Sequence, residues 1–273
     1  MTLAELKQIF TSKLEQCYDK DEIEQLFLIY IEDKLNLTYN PSFIIENKDD
    51  IEKDINQLQE NKPIQHVTGK AFFYDNFFKV NEFTLIPRPE TEELIELIRN
   101  NHSENDSLSI IDLGTGTGCI PITLKKIFRN ANVSALDISA EALQIAKENA
   151  KMIVDNEITF YENDLLKDIN LDKKFDIIIS NPPYIRELEK QEMHKNVLDF
   201  EPHLALFVDN NDPLIFYKRI IEFAKKHLKN QGFIYCEINQ YLPYETKELF
   251  EEYYSNVKLI KDISGNYRMI SAN

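Results

Sequence analysis

The chain has 273 residues and carries 47 Asp and Glu against 31 Lys and Arg, a formal net charge of -16. A surface this acidic repels bare nucleic acid, so direct nucleic-acid binding is not expected; it fits a basic protein partner or a merely solvated face. Cys17, Cys119 and Cys236 lack metal-ligand or disulfide spacing, no apolar run spans a bilayer, and Met1–Lys7 lacks a signal-peptide core; no metal and no membrane are expected, and a reducing cytoplasmic setting is.

The length exceeds one small core and points to a main domain with an appendage. Residues 1–65 read as a small helical domain for recognition or packing. Thr2-Leu3-Ala4-Glu5 is a capping-box pattern, and Leu3, Leu6, Ile9, Phe10 and Leu14 follow at helical spacing. A second helix runs through Ile23, Leu26, Phe27, Tyr30, Ile31 and Leu35, and a third spans Asp49–Gln59. Residues 66–87 read as a linker. In it Ala71–Tyr74 and Phe77–Val80 form a hairpin about an Asp75-Asn76 turn. Pro87-Arg88-Pro89-Glu90-Thr91-Glu92 then stiffens the approach to a helix using Leu94, Ile95 and Ile98.

Residues 88–273 form the main domain. Strands read at 108–113, 132–136, 157–161, 174–180 and 232–237, and helices at 118–128, 139–152, 213–228 and 243–253. This alternation is α/β, a parallel sheet with helices on both faces. Residues 257–260 and 267–270 read as a terminal antiparallel hairpin.

Three of the six glycines, Gly114, Gly116 and Gly118, stand with Thr115 and Thr117 directly after the first strand of this domain. Glycine allows a tight turn and close approach of a ligand, so the loop can hold a nucleoside; a plain βα turn is the alternative. The spacing is not a dinucleotide fingerprint, and no Gly-Lys-Ser/Thr follows. Asp137 closes the second strand, placed to accept from ribose hydroxyls or to cap the next helix. Asn163-Asp164-Leu165 ends the third, either as an adenine contact through Asp164 and Leu165 or as a polar loop. After the fourth comes Asn181-Pro182-Pro183-Tyr184. Two prolines cannot continue a strand, so the chain leaves the sheet in a rigid turn. That turn fixes the Asn181 amide, the Pro182 carbonyl and the Tyr184 ring relative to one another, a seat for a planar group bearing N–H2.

The chain resembles the peptide-chain release factor glutamine methyltransferases (the HemK/PrmC type) over nearly its whole length. The likeness rests on Pro63–Gly69, Leu85–Glu92, Asp112–Gly118, Asn181–Ile185 and Phe200-Glu201-Pro202. It implies a seven-stranded Rossmann-like S-adenosyl-L-methionine domain behind a helical domain and a hairpin linker. It also implies methyl transfer to the side-chain nitrogen of the glutamine in the Gly-Gly-Gln tripeptide of release factors. Gly114, Thr115, Gly116, Thr117, Gly118, Asp137, Asp164, Leu165 and Asn181 would then hold the cofactor. Many members carry a bulkier aromatic where Leu165 stands.

An amide nitrogen is a poor nucleophile because its lone pair is delocalised. Asn181 Oδ1 and the Pro182 carbonyl are expected to accept its two N–H bonds and Tyr184 to pack on the amide plane, so that Asn181, Pro182, Pro183 and Tyr184 form the expected substrate site. His66 and His194 receive no role. Adenine-N6 and guanine-N2 methyltransferases share Asn-Pro-Pro-Tyr, so a nucleic-acid amino group is the rival acceptor. A non-catalytic binding protein is the other rival.

Overall fold

The structure, a computed structural model, describes residues 1–46 and 50–273. Helix α1 (Leu3–Leu14) opens on the expected capping box: Glu5 N donates to Thr2 Oγ1 at 3.1 Å, and Thr2 N to Glu5 Oε2 at 2.8 Å. Leu3, Leu6, Phe10 and Leu14 are buried, but Ile9 is 37% exposed, a correction to the expected stripe. At about 100° per residue Ile9 stands roughly 100° away from the centre of that row. Helix α2 (Lys20–Ile29) does not continue as α-helix to Leu35; it widens into a π turn over Tyr30–Lys34. Helix α3 is Ile51–Gln59, and the expected start at Asp49 lies outside the described residues. Helix α4 (Ile64–Thr68) ends at Gly69, whose φ of 73° suits glycine. These helices share one apolar cluster around Phe10, Phe27 and Tyr30.

Strands β1 (Lys70–Phe73) and β2 (Asn76–Lys79) form the hairpin. Its turn is Tyr74-Asp75, with φ 44° and 62°, not Asp75-Asn76. Asn76 closes the turn instead of occupying it, donating from Nδ2 to the Tyr74 carbonyl at 2.7 Å, while Tyr74 N donates to Glu92 Oε1 at 2.9 Å.

Helix α5 (Pro89–Asn101) precedes β3 (Ser109–Leu113), α6 (Cys119–Ile127), β4 (Asn132–Asp137), α7 (Ala140–Val154), β5 (Ile158–Glu162) and β6 (Phe175–Ser180). A short β7 (Ile185–Arg186) follows, then α8 (Lys195–Phe200), α9 (His203–Leu206) and β8 (Phe207–Val208), which pairs with β7. The chain ends with α10 (Ile215–His227), β9 (Leu228–Glu237), α11 (Pro243–Glu251), β10 (Val257–Lys261) and β11 (Tyr267–Ala272). β9 starts four residues before the expected 232, and the β7–β8 segment was not anticipated.

The main sheet has seven strands in the order β10-β11-β9-β6-β3-β4-β5. β5, β4, β3, β6 and β9 are parallel, and β11 runs antiparallel to both of its neighbours. Every residue of β3 is buried, as expected of a strand covered on both faces. Ile110, Ile177 and Tyr235 pack under α5 and α6, whereas Ile111, Ile178 and Ile234 pack under α10. The chain winds β3 to β4 to β5, then returns to place β6 on the other side of β3. That reversal opens a crevice beyond the carboxyl ends of β3 and β6, where such sheets bind ligands.

Candidate active site

The glycine loop leaves β3 at this crevice. Gly114 N and Thr115 N donate to the Leu136 carbonyl at 2.8 and 3.0 Å, which ties the loop to β4. Asp137 braces it further, accepting from Gly116 N at 2.8 Å and from Ser139 N at 3.0 Å. The cap of α7 is Ser139, whose hydroxyl accepts from Ala142 N at 3.0 Å, so the capping alternative for Asp137 falls. Burial raises the Asp137 pKa, against the bonds it accepts from Ser139 and Gly116.

A cavity of about 310 Å³ lies here, and Gly114, Gly116, Asp137, Asp164, Leu165, Asn181, Pro182 and Pro183 all reach its wall. Thr115, Thr117 and Gly118 do not. Thr115 and Thr117 are buried below the loop. A Cβ on Gly118 would stand 3.1 Å from the Ala146 Cβ, so that glycine serves the close approach of α7. Asp164 Oδ1 already accepts from Leu166 N at 2.9 Å. Ile138 and Leu166, to which the sequence reading gave no role, line the cavity while remaining 45% and 42% exposed.

The residues fit S-adenosyl-L-methionine. Gly114 and Gly116 have φ of 79° and 53°, and a Cβ built on either meets no atom within 4 Å, so both turn bare backbone to open space. Leu113, Leu136, Ile138 and Phe216 give apolar walls, and Asp137 and Asp164 supply acceptors. Beneath the loop Asp112 is wholly buried, and among the described residues neither carboxylate oxygen has a hydrogen-bond partner; the Thr115 hydroxyl lies beside it without completing a bond. Burial, with Asp137 adding to it, pushes the Asp112 pKa up to about 7. Asp137 and Asp164, which reach the cavity wall, suit ribose hydroxyls and an amino group, and the unsatisfied carboxyl of Asp112 lies directly beneath the glycine loop without reaching that wall.

A second cavity of about 280 Å³ shares Leu85, Asn181, Pro182 and Ala205 with the first and is also lined by Arg88, Tyr184 and His194. Asn181 and Pro182 therefore form the partition, with Pro183 facing the first cavity and Tyr184 the second. Ser180 Oγ donates to the Leu113 carbonyl at 2.6 Å, fastening the root of this turn to the root of the glycine loop. Asn181 Nδ2 donates to Thr91 Oγ1 at 3.2 Å, Thr91 Oγ1 to Glu237 Oε2 at 2.8 Å, and Tyr184 OH to Glu237 Oε1 at 2.6 Å. Asn239 Nδ2 donates to the Tyr184 carbonyl at 2.8 Å. Glu201 accepts from Ile86 N at 3.1 Å and from the Arg88 guanidinium at 2.5 Å, holding the segment before α5 against the segment after α8. Burial raises the Glu237 pKa, opposed by Tyr184, Thr91 and Arg268.

Glu237 and Asn239 escaped the sequence reading. The signal was present: Glu237 ends the apolar strand Phe233–Cys236 at the same sheet edge as Asp137 ends β4. His194 reaches the second cavity at the start of α8. His66, in contrast, lines neither cavity; it is buried in α4, where burial lowers its pKa to about 4.

The family described as "Methyltransferase small domain" matches residues 90–200, from the first turn of α5 to the end of α8. The chain is 46% identical over 284 residues to "Release factor glutamine methyltransferase" of Flavobacterium psychrophilum, covering 100% of this chain and 99% of that one. It is 40% identical to the protein of the same name in Bacteroides thetaiotaomicron, covering 95% and 96%. Among solved structures, the hMettl16 catalytic domain in complex with the MAT2A 3′UTR hairpin 1 superposes with a TM-score of 0.56 at 16% identity, over 92% of this chain and 90% of that one. That likeness concerns the fold. The chain belongs to the release factor glutamine methyltransferases, and it is a methyltransferase.

Proposed function

We propose that this enzyme methylates the side-chain nitrogen of the glutamine in the Gly-Gly-Gln tripeptide of peptide-chain release factors. The observation that carries the reading is the partition: Asn181 and Pro182 face both cavities, so a group held by them from one side meets the other. The names of the relatives point to release factors as the substrate proteins. A cytoplasmic setting follows from that substrate.

The first cavity is the cofactor site in this reading. Gly114 and Gly116 offer bare backbone, Asp137 and Asp164 would accept from the cofactor's hydroxyl and amino groups, and Ile138, Leu165 and Leu166 would give its base an apolar seat. S-adenosyl-L-methionine supplies a methyl group on a sulfonium, a strong donor. The chain's part is orientation. Asn181 Oδ1 and the Pro182 carbonyl accept the two amide N–H bonds of the glutamine in the second cavity. Both acceptors then lie where positive charge grows on nitrogen during transfer. Fixing two reactants in line lowers such a barrier by about 7–11 kcal/mol. The Tyr184 ring closes the far side of the amide. After transfer the nitrogen is acidic and releases one proton to water, so no side-chain base is needed.

We assign residues 1–65 to substrate recognition, 66–87 to the linker and 88–273 to catalysis. The N-terminal helices pack around an apolar cluster of their own that reaches Val67, which supports a separate unit there. The test is incubation with labelled S-adenosyl-L-methionine and, in parallel, a purified release factor, an RNA and a DNA oligonucleotide. Label on the release factor alone supports the reading. Label on either oligonucleotide, with none on the protein, replaces it with the amino-methyltransferase of nucleic acids.

A further inference from the structure

We infer that Glu237 is a positioning residue, which through the Thr91 hydroxyl fixes which end of the Asn181 amide faces the substrate and so makes the site select a carboxamide over a carboxylate. The inference rests on the proposed role of Asn181 as acceptor for the glutamine amide.

Counting protons fixes the direction of each bond. A hydroxyl has one proton to donate. The Thr91 hydroxyl lies 2.8 Å from Glu237 Oε2, and an ionised carboxylate only accepts, so the Thr91 proton is committed to it. Thr91 Oγ1 then has only lone pairs for its other neighbour, the Asn181 amide at 3.2 Å. Asn181 must present Nδ2 to Thr91, which leaves Oδ1 for the cavity. The second oxygen of Glu237 takes the Tyr184 hydroxyl at 2.6 Å, so both oxygens are engaged by donors. Tyr217 OH donates to the Glu237 main-chain carbonyl at 3.1 Å, holding the residue itself. Burial raises the Glu237 pKa and Glu90 from α5 adds to that, whereas the two hydroxyl donors, Tyr184 and Thr91, and Arg268 from β11 favour the ionised form that accepts from both.

The consequence is chemical. A glutamine side chain brings two N–H donors to Asn181 Oδ1 and the Pro182 carbonyl. A glutamate carboxylate brings only acceptors, and acceptor against acceptor is repulsive, so the arrangement rejects it. Neither Thr91 nor Glu237 lines either cavity, so they act through Asn181 and Tyr184 and not by touching substrate. Glu237→Gln tests the direction of the relay. Its amide can donate to Thr91, whose hydroxyl then donates to Asn181 Oδ1, and the amide turns its N–H2 towards the substrate.

The experiment measures single-turnover rates at saturating cofactor and release factor, with cofactor affinity and thermal melts alongside. Thr91→Val is expected to lower the rate by about 10–10²-fold with cofactor affinity changed less than about threefold. Thr91→Ser, which keeps the hydroxyl, is expected to stay within about threefold of the parent. Glu237→Gln is expected to fall at least about tenfold, and Thr91→Val with Glu237→Gln to fall much less than the product of the two, since both act through one amide. A near-parental rate for Thr91→Val, or equal damage from serine and valine, overturns the inference. If Thr91→Val fails to fold, Thr91→Ser with Glu237→Gln decides: parental rates for the glutamine variant overturn it. Asn181→Ala separates the layers. A slow Asn181→Ala beside a fast Thr91→Val sinks only the positioning role, whereas a fast Asn181→Ala removes the acceptor reading and this inference with it.

Discussion

Replacing Asp112 by asparagine isolates the energetic cost of the buried carboxyl under the glycine loop. Asp112 is fully buried with neither oxygen hydrogen-bonded among the described residues, and burial lifts its pKa from 3.8 to about 7. A raised pKa means that the folded protein binds this proton more tightly than the unfolded chain does. The stabilisation is therefore complete below the unfolded value and is lost as pH rises through about 7. At 1.36 kcal/mol per pKa unit the whole effect is about 4 kcal/mol, of which about 2–3 kcal/mol falls between pH 5 and pH 8. An asparagine side chain carries no such proton. Urea unfolding of both proteins across that range should show the variant gaining about 2–3 kcal/mol on the parent from the acid to the alkaline end. Other titrating groups largely cancel in the difference. A difference that stays flat with pH would mean that Asp112 ionises in the fold at no cost, contrary to this expectation.

Gly116→Ala places a methyl group in the open space above the loop at a φ of 53°, so S-adenosyl-L-methionine affinity by calorimetry should fall at least about tenfold. Gly265→Ala, at φ 88° and equally open but in the terminal hairpin, should strain the backbone without changing that affinity. Glu201→Gln removes the buried partner of Arg88; with Arg88 about a third exposed the loss in unfolding free energy should be about 1–3 kcal/mol. Association with a release factor should slow as ionic strength rises, because a net charge of -16 steers a basic partner; a stopped-flow rate independent of salt would remove that contribution.

The sheet and its ligand edge were readable because each strand is a compact apolar run and each motif stands at a strand end. Gly114, Gly116, Asp137, Asp164, Leu165, Asn181 and Pro182 all reach the first cavity from four such ends. Thr115, Thr117 and Gly118 share the loop with them, yet point into the fold; a linear motif carries no record of which backbone atoms face out. The Thr91–Glu237–Tyr184 network was not legible. Its members lie 146 and 53 positions apart, and they meet because β9 lies beside β6 and packs against α5, facts of tertiary arrangement. The region between β7 and β8 has short, mixed elements with no sustained period, so neither its pairing nor the Glu201 clasp could be anticipated. The hairpin turn was displaced because a side chain, Asn76, closes it from outside.

If Asn181 and Pro182 hold a glutamine amide as proposed, this site carries a methyl group to one amide nitrogen. The direct measurement is fragmentation mass spectrometry of a release factor after reaction with isotopically labelled S-adenosyl-L-methionine. One labelled methyl is expected on the side-chain nitrogen of the glutamine in the Gly-Gly-Gln tripeptide, and none on a release factor with glutamate in its place. A methyl on any other atom of the release factor, or equal labelling of the glutamate protein, would contradict that expectation.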